Sequence, residues 1–242
     1  MSRYGPGAET PASPQLAGRR RRWLRHLVRG LLLAVLAPLA LIGAFRFVPP
    51  PATPLMAIRL VQGYGIEHQW TPYEGIAPAL ARAVIASEDN LFCEQALGFD
   101  FAALGRQIRA WRDGQRPRGA STITMQTAKN LLLWPGRDPV RKALEAWLTP
   151  QVALLWSKRR VLEVYLNIVE FGPGIYGVEA AARAHFGKRS SQITTREAAL
   201  LAAVLPLPLH WSAASPSAHV RQRAAIIEHR MDQIQPLLGC AR

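Results

Sequence analysis

The run from Gly30 to Phe45 is almost wholly apolar and uncharged, and six arginines crowd the residues before it: Arg19 to Arg22, Arg25 and Arg29. A stretch of this kind has few destinations. With Phe47 and Val48 added, and Arg46 long enough to reach back toward headgroups, it attains about the 20 residues a helix needs to cross a bilayer. Pro38 would kink such a helix without forbidding it to span. A buried core helix would not carry so dense an arginine flank. The cluster precedes the run, so the positive-inside rule puts residues 1–26 in the cytoplasm as a basic tail, 27–48 across the membrane, and the rest outside. A cleaved signal peptide shares this pattern, but Ile42-Gly43-Ala44 is a poor cleavage site, so an uncleaved anchor is expected. Residues 1–18 read as a flexible tail, and Val48 to Pro54 as a stiff polyproline spacer.

The chain beyond the anchor is long enough for one domain with a sizeable core. Residues 49–75 read as linker and membrane-proximal segment, and 76–238 as the domain. The net charge is +14. Residues 1–50 supply half of it, with eight Arg against Glu9 alone, so the remaining residues are basic too. Such an excess points to nucleic acid, acidic lipid headgroups or a phosphorylated substrate. Export argues against nucleic acid, and the basic residues lack the interleaved aromatics of a stacking platform. Cys93 and Cys240 are too few for a disulfide framework and form no zinc motif. The sequence does not test their proximity, so whether they pair in an oxidising compartment stays open.

The apolar spacing is mainly helical. Pro78 opens a helix with Leu80, Val84, Ile85 and Leu91 at helical intervals. Gly119 to Thr122 leads into another through ITMQTAKNLLL. Val140 to Leu148 form a third, which Pro150 should break or kink. Further helices cover Lys158 to Val169 and a segment near Val220 to Ile234. Thr194 and Glu197 have capping-box spacing before AALLAAVL. Alternating strand patterns are scarce.

Three elements carry chemistry. Glu88 continues the apolar stripe of its helix, and a carboxylate on a partly buried face becomes a better proton acceptor as it loses hydration. The competing reading is that the helix ends there and Glu88-Asp89 faces water. Thr122, Gln126 and Lys129 share one face of the next helix. Ser121 or Thr122 can cap it, and its free N–H groups would attract an anion. Arg141, Lys142 and Glu145 lie within one turn, where two cations beside a carboxylate could hold a phosphate-rich leaving group. Each element alone also fits an ordinary solvated helix face.

Taken in order, the blocks SEDNLF (87–92), RGASTITMQTAKNLLLW (118–134), RKALEAWLT (141–149), WSKRRVLEVYLNIVEFG (156–172) and GVEAAARAHFGK (177–188) resemble the peptidoglycan glycosyltransferase family. The resemblance covers residues 48–235. It implies a mainly α, lysozyme-like domain behind a single N-terminal transmembrane helix, in the bacterial inner membrane with the catalytic domain periplasmic. It further implies polymerisation of lipid II into β-1,4-linked glycan strands with release of undecaprenyl pyrophosphate. Glu88 and Glu145 correspond to the family's catalytic glutamates. Asp89, Phe92, Ser121, Thr122, Gln126, Lys129, Asn130, Arg141 and Lys142 correspond to its substrate-binding residues. Glu145 would orient the cations or hold a divalent ion, Mg2+ or Mn2+, against the pyrophosphate; no organic cofactor is implied. The implied partners are lipid II, the growing glycan chain, the membrane, and other cell-wall synthesis or division proteins.

Two positions depart from the family pattern. Gln95 stands where a His is usual, in a stretch to Gly98 that reads one residue long, and Met125 replaces the first of a Gln-Gln pair. Because the substrate's lipid stays in the membrane, residues 55–75 are expected to dip into it, with Arg59, Leu60 and Trp70 as candidates. Two rivals remain: a lysozyme-type glycan-cleaving enzyme, which needs no cation cluster, and a non-catalytic membrane-anchored scaffold.

Overall fold

The structure is a computed structural model that describes residues 14–115, 119–136 and 138–241. Residues 1–13 of the basic tail, together with Arg118, lie outside the described residues. The chain divides after Leu41 into two units. The first is formed by helix α1, Pro14–Phe45, whose last residues belong to the second unit. Residues 14–26, expected as tail, are therefore helical. Within α1 the stretch Arg22–Phe45 is long and apolar enough to cross a membrane. Its apolar side chains, among them Leu31, Leu33 and Leu36, are exposed.

The second unit contains α2 (Pro54–Val61), α3 (Pro78–Glu88), α4 (Phe101–Arg112), α5 (Ile123–Leu132), α6 (Pro139–Leu155), α7 (Lys158–Ile168), α8 (Val178–Phe186), α9 (Thr195–Val204) and α10 (Ala218–Ile234). The helix starts obey their capping chemistry. Thr122 accepts from Met125 N, Asp138 from Arg141 N and Ser157 from Arg160 N, while Pro78 and Pro139 open helices where no N–H partner is lost. The capping box at Thr194 and Glu197 forms as expected. Helix α6 does not end at Pro150 but runs on to Leu155. The proline removes the bond to the carbonyl of Ala146, which lies on the exposed face where water can replace it.

Helices α3, α9 and α10 pack on one another, and α5 packs against α6 and α7. Between them lie fully buried Leu80, Ile85, Ile123, Leu148, Leu162, Tyr165 and Leu166. A small sheet of order β1-β3-β2 (Glu67–His68, Ile175–Tyr176, Glu170–Gly172) supplements the helices, with β1 parallel and β2 antiparallel to β3. Asn167 fastens this corner: its amide accepts from Thr71 N and donates to the carbonyls of Thr71 and Glu163. The end of α1 is held by α7. Arg160 donates to the carbonyls of Phe45 and Val48, and the Trp156 indole donates to Ile42 O.

Cys93 and Cys240 form a disulfide across 147 residues, a pairing the sequence left open. The tertiary fold brings the 3-10 turn Phe92–Glu94 beside the C-terminal turn Gly239–Ala241, a proximity that spacing alone does not encode.

Candidate active site

Helix α3 ends at Glu88, in line with the plainer sequence reading, yet neither acidic residue simply faces water. The Glu88 side chain is only 15% exposed. Its Oε2 accepts from Gln126 Nε2 at 3.0 Å, and its Oε1 accepts from Ser87 Oγ at 2.9 Å. The Gln126 amide is oriented by Tyr165, a fully buried residue of α7 whose hydroxyl donates to Gln126 Oε1 at 2.9 Å. Tyr165 thus presents the amide N–H groups of Gln126 to the carboxylate.

Asp89 is buried, and both its oxygens are used inside the fold: Oδ2 accepts from Ile123 N at 3.0 Å and Oδ1 from Gln95 Nε2 at 2.5 Å. Burial raises its pKa from 3.8 to about 6 against the opposing pull of these bonds and of Lys158. This corrects the expectation of an open anion site at the N-terminus of α5. The Asp89 carboxylate and the Thr122 cap already occupy the N–H groups of Ile123 and Met125. Asp89, Phe92 and Thr122 thus join the blocks to one another, while Asp89 and Thr122 also line the cavity beside Glu88. Phe92 is fully buried beneath the Lys158 ammonium, 4.6 Å from the ring centroid. The Thr122 hydroxyl donates to Gly98 O at 2.6 Å. Gln95 supplies from a neutral amide the hydrogen bond that Asp89 needs, so no titrating group is required there. Lys158 Nζ secures the same turn by donating to Gln95 O at 2.7 Å.

On α6, Glu145 is 2% exposed and grips two cations, Arg141 through Oε2 and Lys142 through Oε1. Arg141 is itself buried, leaving Lys142, 45% exposed, as the accessible charge of the pair. Lys142 Nζ also reaches Ser121 Oγ at 3.0 Å. Lys129 completes the group. Burial lowers its pKa, while Glu145 and Glu88 favour its charged form and Arg141 and Lys142 oppose it. Lys129 thus lies within electrostatic reach of both glutamates. Two cavities are lined by residues of these blocks. One of about 360 Å³ is lined by Glu88, Asn90, Arg106, Ser121 and Thr122. The other, of about 200 Å³, is lined by Gln126, Lys129, Asn130, Arg59 and Glu170. Three cations against one carboxylate leave the Lys129–Arg141–Lys142–Glu145 cluster with surplus positive charge beside Glu88.

A protein-held divalent ion does not fit this donor set. Both Glu145 oxygens face cations, and among the described residues no group of three His, Cys, Asp or Glu side chains could hold a metal.

The membrane-proximal candidates diverge. Leu60 is exposed; Arg59 turns inward to pair with Glu170 at 3.3 Å, and Trp70 packs on the core under Arg160. Sequence reading missed a more pronounced surface. Helix α4 buries none of its residues, and Phe101, Leu104, Ile108 and Trp111 recur along it while exposed, with Arg106, Arg109 and Arg112 between them. The three-to-four-residue spacing was the available signal.

The family model described as Transglycosylase matches residues 56–232. The chain belongs to the transglycosylase family. It is 49% identical over 207 residues to a biosynthetic peptidoglycan transglycosylase of Caulobacter vibrioides, covering 84% of this chain and 90% of that protein. Proteins of the same name from Rhodospirillum centenum and Pseudomonas putida are 51% and 47% identical, each covering 87% of this chain and 91% and 92% of their own lengths. The transglycosylase matches span both glutamates and every residue of the cation cluster.

Proposed function

We infer that this transglycosylase polymerises lipid II into peptidoglycan glycan strands during cell-wall biosynthesis. The observation that carries this reading is the meeting of Glu88 with the Lys129–Arg141–Lys142–Glu145 cluster across Ser121 and Gln126. A proton acceptor and a surplus of positive charge at one cleft suit a sugar hydroxyl attacking a sugar diphosphate. A glycan-cleaving enzyme has no use for such a cluster.

Glu88 is the general base. It takes the proton from the C4 hydroxyl of the acceptor N-acetylglucosamine, and that oxygen attacks C1 of the donor N-acetylmuramic acid with inversion. The C1–O bond to the pyrophosphate breaks, and the departing undecaprenyl pyrophosphate carries the electron pair. An anionic leaving group needs charge compensation rather than a strong acid, and Lys129 and Lys142 supply it directly. Arg141 stays paired with Glu145, whose carboxylate reduces the repulsion among the three cations while the cleft is empty.

The anchor helix sets the N-terminus in the cytoplasm and the catalytic domain outside the inner membrane. The arginine flank and the Cys93–Cys240 bond support that arrangement, since disulfides persist in oxidising compartments. The α4 face, together with Leu60 and Val61 of α2, meets the lipid surface. Other cell-wall synthesis or division proteins take the strands onward to cross-linking.

Assembly of labelled lipid II into polymer in detergent tests the function. Polymer from wild type and none from Glu88→Gln, which keeps the shape but cannot take up the proton, is the expected result. Full activity in Glu88→Gln removes Glu88 from the mechanism, and release of muropeptides from sacculi would identify a cleaving enzyme instead.

A further inference from the structure

The catalytic carboxylate is approached from a direction that none of the five sequence blocks supplies. Helix α10 carries Arg223, whose guanidinium lies 3.2 Å from Ser87 Oγ and 3.7 Å from Glu88 Oε1. Ser87 Oγ in turn lies 2.9 Å from Glu88 Oε1 and 3.4 Å from Ala202 O. Valence sets the proton directions. Arginine can only donate, so it fills a lone pair of the Ser87 oxygen. The hydroxyl has one proton to give and places it on the nearer acceptor, Glu88 Oε1. The chain thus runs Arg223 N–H to Ser87 O–H to Glu88 Oε1, and it mirrors the chain Tyr165 O–H to Gln126 N–H to Glu88 Oε2 on the other side.

We propose that Arg223, acting through Ser87, is a positioning residue for the glycosyl transfer: it fixes Glu88 Oε1 so that the remaining lone pair of Oε2 is the proton-accepting site. Oε1 carries the Ser87 proton and faces the guanidinium charge, whereas Oε2 carries only the N–H of Gln126; Glu88 lines one cavity and Gln126 the other. The guanidinium is partly exposed at 33%, and its Nε is buried without a partner. A terminal nitrogen of this guanidinium reaches Ser87 and Glu88. The groove beside it is lined by His219, Gln222, Ile226, Ile227 and Arg230, with no acid to draw the guanidinium away from Glu88.

The inference rests on Glu88 being the base, and the test separates the two. Lipid II polymerisation is followed in Arg223→Ala, Arg223→Lys, Ser87→Ala and the Arg223→Ala/Ser87→Ala double variant, with thermal unfolding measured on each. For Arg223→Ala, kcat should fall by roughly tenfold to a hundredfold with KM changed less than about threefold, the signature of lost alignment rather than lost substrate binding. Arg223→Lys should recover most of the loss. Ser87→Ala should fall in the same direction, and the double variant should be no worse than Arg223→Ala, because the two residues act in series. Wild-type kcat in Arg223→Ala, or a loss that tracks only a lowered melting temperature and that lysine does not rescue, overturns the proposal while leaving Glu88 as base intact. Activity in Glu88→Gln overturns the reading beneath it.

Discussion

At the residue scale, the cleft sorts its charged groups by what surrounds each one. Asp89 is held inside the fold, and burial places its pKa near 6, above the 3.8 of a free carboxyl. The folded chain therefore keeps a proton that the unfolded chain releases. The stabilisation is full below pH ~4 and is lost as pH rises through ~6, amounting to on the order of 3 kcal/mol. Denaturant unfolding of wild type and Asp89→Asn from pH 4 to 7 checks this: the stability of the variant relative to wild type should climb across that window. Lys129 gives the opposite limb. Its lowered pKa predicts that polymerisation declines at alkaline pH earlier than an ordinary lysine would allow, and that Lys129→Arg moves this decline to higher pH in whatever activity it retains. The shared helix face of Gln126 and Lys129 was legible in the sequence from their spacing alone, although its meeting with Glu88 was not. Nor was Arg223, since 136 residues separate it from Ser87 and only the packing of α10 on α3 unites them. Periodicity reports which face of a helix is apolar; it is silent on which distant helix that face meets.

At the scale of elements, the helices are readable where caps and stripes agree, as at Thr122, Ser157 and Thr194. A single residue misleads when its propensity is weighed alone. Pro150 costs one hydrogen bond, and the buried side chains of Leu148, Thr149 and Val152 hold the helix together across it. The Gln95–Gly98 stretch is the converse case, a local irregularity with a tight structural demand. Gly98 has φ +76, and a Cβ there would lie 2.8 Å from Thr124 Cγ2 and 2.9 Å from Thr149 Cγ2. Gly98→Ala should destabilise the domain by about 1–3 kcal/mol and lower activity, because Gly98 O is also the acceptor for Thr122. Calorimetry and the polymerisation assay together would register both effects. Helix α4 raises a different expectation. Replacing Phe101 and Trp111 with Ser should leave the fold intact, since neither is buried, yet weaken sedimentation of the domain with vesicles containing anionic lipid. Unchanged sedimentation would show that α4 faces water rather than bilayer.

For the whole molecule, the apolar run predicted the anchor helix, and apolar spacing together with the ordered blocks predicted a mainly helical domain behind it. What the order could not supply was closure of the chain on itself: the Asn167 corner, the Arg160 clamp on Phe45 and Val48, and the bond between Cys93 and Cys240. That bond closes a loop of 147 residues, for which the chain-entropy account gives about 5 kcal/mol, so Cys240→Ser should lower the midpoint of urea unfolding markedly. Its position has a practical consequence. Cys93 lies between Phe92 and Gln95, in the turn that steadies Asp89, so a domain produced in a reducing cytosol would have the right sequence and a slack turn. Yield and specific activity would then part company, with abundant protein turning over slowly until an oxidant is supplied, and a thiol reagent added for convenience would act as an inhibitor.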